Sequence, residues 1–526
     1  MIKHLITRKS SVLEATAILA VASLVSRLFG VMRDSVIAAR YAGDISDAYL
    51  AAFVIPDFIF NLLILGALSS AFIPIFTEYL QKTGSDKEEA WGIVNSLVNL
   101  GVMLLAVILL AVAVFAPTLV HLVAPGFVTD KKEMVVVLMR VMLLSPLFFG
   151  FSNLAGGILN SFKNFFAYAI APILYNLGII AGAIYLVPKF GYIGLAYGVV
   201  GGACLHMLVQ LPGVFAFGYR YRLHMNLRHP AIQRMAMLMI PRTIGIGVTQ
   251  ISTIINTAIA STLAGGAVSV FKWADNLQSL PIGIFGVSFA VAVFPTLAEK
   301  YSLKKIDEFK EDVVQVLRQV MFFIVPSMLL YWLLRAQIVR LVFGYGLFGW
   351  DYTRFTVSAL AFFTFGMLGQ SIIHLLARSF YALQDTKTPL LVSIGSLGLN
   401  VGLALILVQY LDVVGLAAAI SISATVNAGL LLVILGRRLG GLPWRGLSEY
   451  LVKIIFAGFI MTGAGYLMLR VMNLIVTTHT VIGLFAQTVV TAGVAVLVYL
   501  AITRVLKIPE VSRILSPFRR LVRVGK

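Results

Sequence analysis

The chain has 526 residues, 60% of them apolar and only 12% charged, with a formal net charge of +19. Soluble domains are about half apolar and about a quarter charged, and the excess here is spread along the chain as runs longer than the roughly 18 residues that cross a bilayer. A soluble enzyme, a secreted disulfide scaffold and a disordered chain are excluded. The expected fold is an all-α polytopic membrane protein.

The basic start, MIKHLITRKS, leads into a long apolar segment with no A-x-A site, so it reads as a retained first span rather than a cleaved signal. Spans are expected near 12–40, 48–80, 91–118, 132–158, 160–187, 191–217, 231–263, 266–299, 309–342, 354–383, 387–409, 413–436, 448–472 and 480–505, about fourteen in all. The shortest connections fall at Asn160–Asn164 and Ala264–Gly266. Lys and Arg concentrate in the N-terminal tail and the even-numbered connections, including Arg220, Arg222, Lys304, Lys305, Arg437 and Arg438. The odd-numbered connections hold Lys131, Lys132, Lys189 and Arg354. This asymmetry places both termini in the cytoplasm and assigns the surplus charge to topology and anionic lipid rather than nucleic acid. Cys204 lies in an apolar stretch and, being single, forms no internal disulfide. After Lys507, apolar residues at Val511, Ile514, Leu515, Phe518, Leu521 and Val522 alternate with arginines in helical rhythm, which reads as an interfacial helix or a solvated basic tail.

An internal repeat is visible. Pro74 and Glu78 recur as Pro295 and Glu299, and Gly194-Leu195-Ala196 as Gly415-Leu416-Ala417, at a separation of 221 residues. NSFKNFFAYAIAP also aligns with RSFYALQDTKTP. Two six-helix bundles of like orientation follow, related by a pseudo-two-fold along the membrane normal: an N-lobe over 1–217 and a C-lobe over 218–438. Two further helices fill 439–506 and a basic tail 507–526. Alternating access through a central cleft is the mechanism such a repeat suggests.

Charges inside spans mark a pathway, because a charge in hydrocarbon needs a partner or a watered cavity. The first span carries Arg27, Arg33 and Asp34, with Gly30 as a possible bend. Either an Arg–Asp pair neutralises itself, or the two cations against one acid form an anion site; the imbalance favours the site. Arg242 follows Pro241 in the seventh span. In the eighth, Lys272, Asn276 and Ser279 form an i, i+4, i+7 stripe beside Asp275. Asp57 reads at least as readily as a cap at a broken helix as a substrate contact, Asp47 as an N-cap, and Arg378 with His374 as a structural pair or an arginine snorkelling at the helix end. Net positive charge in the cleft points to an anionic solute, and Arg and Lys suit phosphate. A cleft open to the bilayer admits a lipid tail.

No Walker A segment, H-E-x-x-H or cysteine pair is present, so neither ATP nor zinc chemistry is expected. Catalysis is not expected. No cofactor is implied, and the energy source is a gradient or the membrane potential.

Together, SRLFGVMRD, SDAYLAAFVIPD, GALSSAFIPIFTEY, QISTIINT, WADNLQSLPIGIFGVSFAVAVFP and FYALQDTKTP resemble the MurJ (MviN) lipid II flippases of the MOP exporter superfamily, in order over nearly the whole chain. The resemblance implies a flippase of the bacterial inner membrane that moves undecaprenyl-pyrophosphoryl disaccharide-pentapeptide outward. It also implies a V-shaped cationic cavity between two lobes, a lipid-tail groove made by the last two helices, and work alongside the cell-wall synthesis machinery. By position, Arg27 and Arg33 match two cavity arginines of the family, and Asp47 matches an acid near its outer gate. There are two departures: Phe60 and Asn61 stand where the family has an arginine pair, and Ala274-Asp275-Asn276 where it has A-D-R. Lys272 and Arg242 are candidates to restore the missing charge. The eleventh span holds no acid, so no metal site is carried over. Other readings are a flippase for another polyprenyl-linked oligosaccharide, a cation-coupled drug antiporter, which needs unpaired acids, and a scaffold with its charges paired one to one.

Overall fold

The structure, a computed structural model, describes residues 12–65, 68–82 and 87–511. The regular structure of the described chain is helical, with no strand among the described residues. Backbone polar groups in hydrocarbon have no water to bond, and a helix satisfies them within itself. Most of the expected interfacial helix, 512–526, lies outside the described residues.

Two compact units divide between Ser269 and Val270. The first begins with α1 (Val12–Tyr41), α2 (Asp44–Ile59), a π-helical turn at Phe60–Leu65 and α3 (Leu68–Lys82). It continues through α4 (Glu88–Val114), α5 (Ala116–Val123), α6 (Thr129–Met142), α7 (Leu144–Ser161) and α8 (Phe166–Ala181). A second π turn (Gly182–Leu186), α9 (Val187–Phe190), α10 (Ile193–Leu208), α11 (Leu211–Ala216) and α12 (Pro230–Ser261) complete it. The helix α13 (Ala267–Pro281) crosses the division and runs into a third π turn, Ile282–Val287. The second unit then holds α14 (Ser288–Ser302), α15 (Ile306–Phe343), α16 (Trp350–Ala382), α17 (Lys387–Leu411), α18 (Val413–Arg438), α19 (Trp444–Ile475) and α20 (Val481–Val505).

Among the described residues, twelve helical segments are long and apolar enough to cross a membrane. The helices α1 and α12, of 30 and 32 residues, are as long but are not among the twelve. They carry the charged residues Arg27, Arg33, Asp34, Arg234 and Arg242 and the amide Gln250. Gly30 does not interrupt α1, which is continuous. The break expected beside Asp57 comes instead at Phe60–Leu65, one turn beyond Pro56. Proline lacks the N–H that would bond one turn back, so the ladder is already weakened there.

Packing between apolar helices relies on small residues that bring backbones close. Gly178 and Gly182 meet Gly198 and Gly202 across α8 and α10; a Cβ on Gly178 would lie 2.4 Å from the Gly202 Cα. In the second unit Gly366 and Gly369 likewise lie against Ser421 and Thr425, while Trp273 is buried against Phe343 and Phe348 and Phe309, Phe322 and Phe380 fill its core.

The 221-residue repeat is a repeat of backbone geometry. Lys163 and Gln384 both close a helix at φ 59°, with Asn164 N–H bonding the Leu159 carbonyl and Asp385 N–H the Phe380 carbonyl, each at 2.9 Å. Gly191 and Asp412 both take a left-handed φ, 63° and 53°, and turn the chain so that Gly194 and Gly415 bond back to them at 2.9 Å. A Cβ on Gly194 would strike the Val187 nitrogen at 2.4 Å, and one on Gly415 the Leu407 carbonyl carbon at 2.5 Å. The π turns at 60–65 and 282–287 stand 222 residues apart. The two halves thus stop and restart their helices in the same way.

Replacing Gly198, whose Cβ would sit 2.8 Å from the Gly182 Cα, by Leu is expected to destabilise the protein by about 3 kcal/mol or more. Gly201→Leu, with nothing within 4 Å, is expected to cost under about 1 kcal/mol; thermal melts of the two variants in one detergent make the comparison. Asp412 holds a conformation that suits glycine, at φ 53° and ψ −141°, and its side chain caps nothing. Asp412→Gly is therefore expected to raise the melting temperature, by about 1 kcal/mol of stability.

Candidate functional site

The charges of α1 divide into one pair and one lone cation. Arg33 donates from Nε and Nη2 to Asp34 Oδ1 at 2.9 and 2.8 Å, and from Nη1 to Asn176 Oδ1 at 3.2 Å. Asn176 is held in turn by the Ser26 and Pro172 carbonyls at 3.2 and 3.1 Å. Asp34 is buried and Arg33 mostly so. The two form a neutral unit clamped between α1 and α8, and the self-neutralising reading holds for Arg33. Arg27 is half-buried and makes no ion pair or hydrogen bond among the described residues. It is a positive charge in this span that Asp34 does not cancel. Asn176 was not legible as part of the group, because an amide 143 residues away gives no periodic signal.

The side chain of Arg242, in α12, lies outside the described residues. In the second unit Lys272 is half-buried and has no carboxylate partner among the described residues. Asp275, three residues on, accepts instead from Gln278 Nε2 at 3.0 Å. Gln278 and Gln370 exchange amide hydrogen bonds at 3.4 and 3.1 Å, joining α13 to α16. Ser279 turns back to the Asn276 carbonyl at 2.7 Å. The expected stripe therefore reduces to Lys272 and Asn276, with Ser279 satisfied by its own helix. Arg378 bonds the His374 carbonyl at 3.2 Å, the structural pairing the sequence offered.

Asp47 is a cap, though for a helix other than its own. It is 1% exposed, in the first turn of α2. Its Oδ2 accepts from Gly266 N–H at 2.8 Å and Lys131 Nζ at 2.9 Å. Its Oδ1 accepts from Ser269 N–H at 2.9 Å and Ser269 Oγ at 2.7 Å. A carboxylate there satisfies the unbonded N–H groups at the start of α13 and faces the positive end of its dipole. Lys131, 7% exposed, also reaches Asp44 at 2.8 Å and lies over the Phe127 ring at 4.1 Å. Sequence reading missed Lys131 as a partner, although it is one of the few basic residues on the sparsely charged side. A lysine that departs from the positive-inside pattern is a signal that it is held by acids.

Removing one member of a buried pair leaves the other uncompensated, at about 3–5 kcal/mol. Lys131→Met is expected to lower stability by that order, whereas Asp44→Asn, at an acid 74% exposed, is expected to cost under about 1 kcal/mol. Melts of the purified variants separate the two.

With this geometry in hand, kinship is clear. A family profile described as lipid II flippase MurJ matches residues 38–486. The lipid II flippase MurJ of Burkholderia cenocepacia is 32% identical over 452 residues, covering 84% of this chain and 87% of that protein. A solved lipid II flippase MurJ in an inward closed conformation superposes with a TM-score of 0.77 at 24% identity, covering 93% of this chain and 98% of that one. An inward-facing multidrug resistance MATE family transporter of the MOP superfamily superposes with a TM-score of 0.68 at 18% identity, covering 83% of this chain and 99% of that one. These two likenesses speak to fold. The profile and the sequence identity over most of both chains carry the conclusion: the protein belongs to the MurJ lipid II flippase family.

Proposed function

We propose that this multi-pass bacterial inner-membrane protein is a transporter that moves lipid II, a polyprenyl-pyrophosphate-linked peptidoglycan precursor, from the inner to the outer leaflet by alternating access. Arg27 carries the reading: a guanidinium in a membrane helix with no counter-charge among the described residues is stabilised by an anion that arrives and leaves. Arg33, already neutralised by Asp34, offers directed N–H groups without trapping the substrate through a second full charge. Lys272, and Arg242 by its place in the sequence, supply positive charge where this chain lacks the family's arginines. Asp275 and Asn276 supply polar groups beside Lys272.

Asp47 is the gate residue in this scheme. Opening requires Gly266, Ser269 and Lys131 to give up their bonds to one carboxylate, so closure is stable until substrate binding offsets that loss. The proposed frame has fourteen spans with both termini in the cytoplasm and two six-helix lobes, 1–217 and 218–438, related by an axis along the membrane normal. The helices over 439–506 form a groove for the lipid tail. The repeated helix stops at Lys163 and Gln384 and restarts after Gly191 and Asp412 support the two-lobe reading. The membrane potential or an ion gradient drives the cycle without a cofactor. Anionic lipids and the cell-wall synthesis machinery are its expected surroundings. The departures at Phe60, Asn61 and Asn276 favour one second reading, a flippase for another polyprenyl-linked oligosaccharide.

Depleting the protein and assaying which lipid-linked precursor builds up on the inner face tests both. Accumulated lipid II supports the first reading; normal export of lipid II with build-up of another polyprenyl-linked oligosaccharide supports the second. In complementation, Arg27→Ala is expected to lower lipid II export by about 10- to 100-fold, the loss of one charge-assisted contact of about 1.5–3 kcal/mol. Lys272→Ala is expected to fall in the same range, and wild-type export in that variant rejects its role.

A further inference from the structure

Residues 219–228, between α11 and α12, read YRYRLHMNLR and form no helix. Apolar side chains occupy 219, 221, 223, 225 and 227; cationic or polar ones occupy 220, 222, 224, 226 and 228. In an extended chain this alternation puts the two sets on opposite sides. Three polar residues near the start of α4 hold the segment. Asn95 Oδ1 accepts from the Tyr219 hydroxyl at 2.9 Å and from Arg222 N–H at 3.1 Å. Asn99 Nδ2 donates to the Arg222 and His224 carbonyls at 3.3 and 2.9 Å, and its Oδ1 accepts from the Tyr221 hydroxyl at 2.8 Å. Ser96 Oγ accepts from Asn226 N–H at 3.1 Å. The strap is thereby fixed along one helix.

Its apolar row closes one side of a cavity of about 790 Å³, whose walls include Val98, Met103, Phe151 and Leu154. That volume lies within the roughly 300–1,000 Å³ typical of ligand sites. The strap's own apolar residues remain open: Leu223 is 89% exposed and Tyr221 57%. Apolar side chains fixed in such a position at the end of a spanning helix need hydrocarbon beside them. On the other side of the strap, the Arg220 and Arg228 side chains have no ion pair among the described residues, and Arg222 has only the exposed Glu88 at 3.2 Å.

We propose that the strap and cavity bind one anionic phospholipid of the inner leaflet, with an acyl chain in the cavity and the phosphate on the row of Arg220, Arg222 and Arg228. An apolar cavity under a cationic rim matches an amphiphile of opposite charge, and arginine stems are long enough to lie along the apolar edge while their heads meet phosphate. The strap joins α11 to α12, so the bound lipid fixes the entry to the helix that carries Arg242. This site is separate from the transport reading and stands without it.

The test uses the full-length protein in nanodiscs of mixed phosphatidylglycerol and phosphatidylcholine, each carrying in turn a diazirine at the end of an acyl chain. Expected is phosphatidylglycerol label on 94–103, 151–158 or 219–225, several-fold above phosphatidylcholine label. The R220Q/R222Q/R228Q variant is expected to lose this preference by at least about tenfold. Met103→Trp, which fills the cavity without touching the cations, is expected to lower labelling by both lipids and keeps the test valid if the triple variant does not fold. Equal labelling by the two lipids, label confined to other segments, or undiminished label in Met103→Trp overturns the proposal.

Discussion

A charge or an unbonded polar group in hydrocarbon costs several kcal/mol, and most of what is specific in this protein is a way of meeting that cost. Two buried acids of the spans, Asp34 and Asp47, are answered by different means. Asp34 takes a neighbouring guanidinium on its own helix. Asp47 takes two backbone N–H groups, a hydroxyl and a lysine brought from far along the chain. Among the described residues, Arg27 and Lys272 are span cations without a carboxylate partner, and the proposed anionic substrate is what answers them.

The difference between the two acids has a mechanical side. The Arg33–Asp34 pair is local and moves with α1, so a rearrangement of helices leaves it intact. The bonds of Asp47 reach the start of α13 and the first turn of α6, and cannot survive separation of those elements. A carboxylate capping a helix it does not belong to makes a contact that is either fully formed or broken, because hydrogen bonds fade over a few tenths of an ångström. Such a contact suits a two-state element better than graded packing does.

Small residues set where the helices approach, and left-handed residues set where they stop. The Gly178, Gly182, Gly198 and Gly202 contact removes the side chains that would hold α8 and α10 apart. The stops at Lys163 and Gln384, and the restarts after Gly191 and Asp412, give each half the same short turns. That Asp412 occupies a conformation for which its counterpart is glycine means that the geometry has persisted through a residue poorly suited to it.

Much of this was legible in the residues. Apolar run length marked the helices, since the bilayer sets how many residues need an apolar environment, and the constant offset of Pro74, Glu78 and Gly194 from their counterparts marked the repeat. The presence of Arg27, Arg33 and Asp34 in one span was equally plain, as was the resemblance to lipid II flippases. Which of those charges is cancelled was decided only in three dimensions. Arg33, rather than Arg27, pairs with Asp34 because its guanidinium folds back onto the adjacent carboxylate while Asn176 holds its other end. Lys131 answers Asp47 across 84 residues of chain. Ion pairing depends on distances of about 3 Å between side-chain tips, and periodicity along one helix says nothing about tips contributed by another. The sequence by itself determined where positive charge enters the membrane; the tertiary structure decided which part of it remains uncompensated.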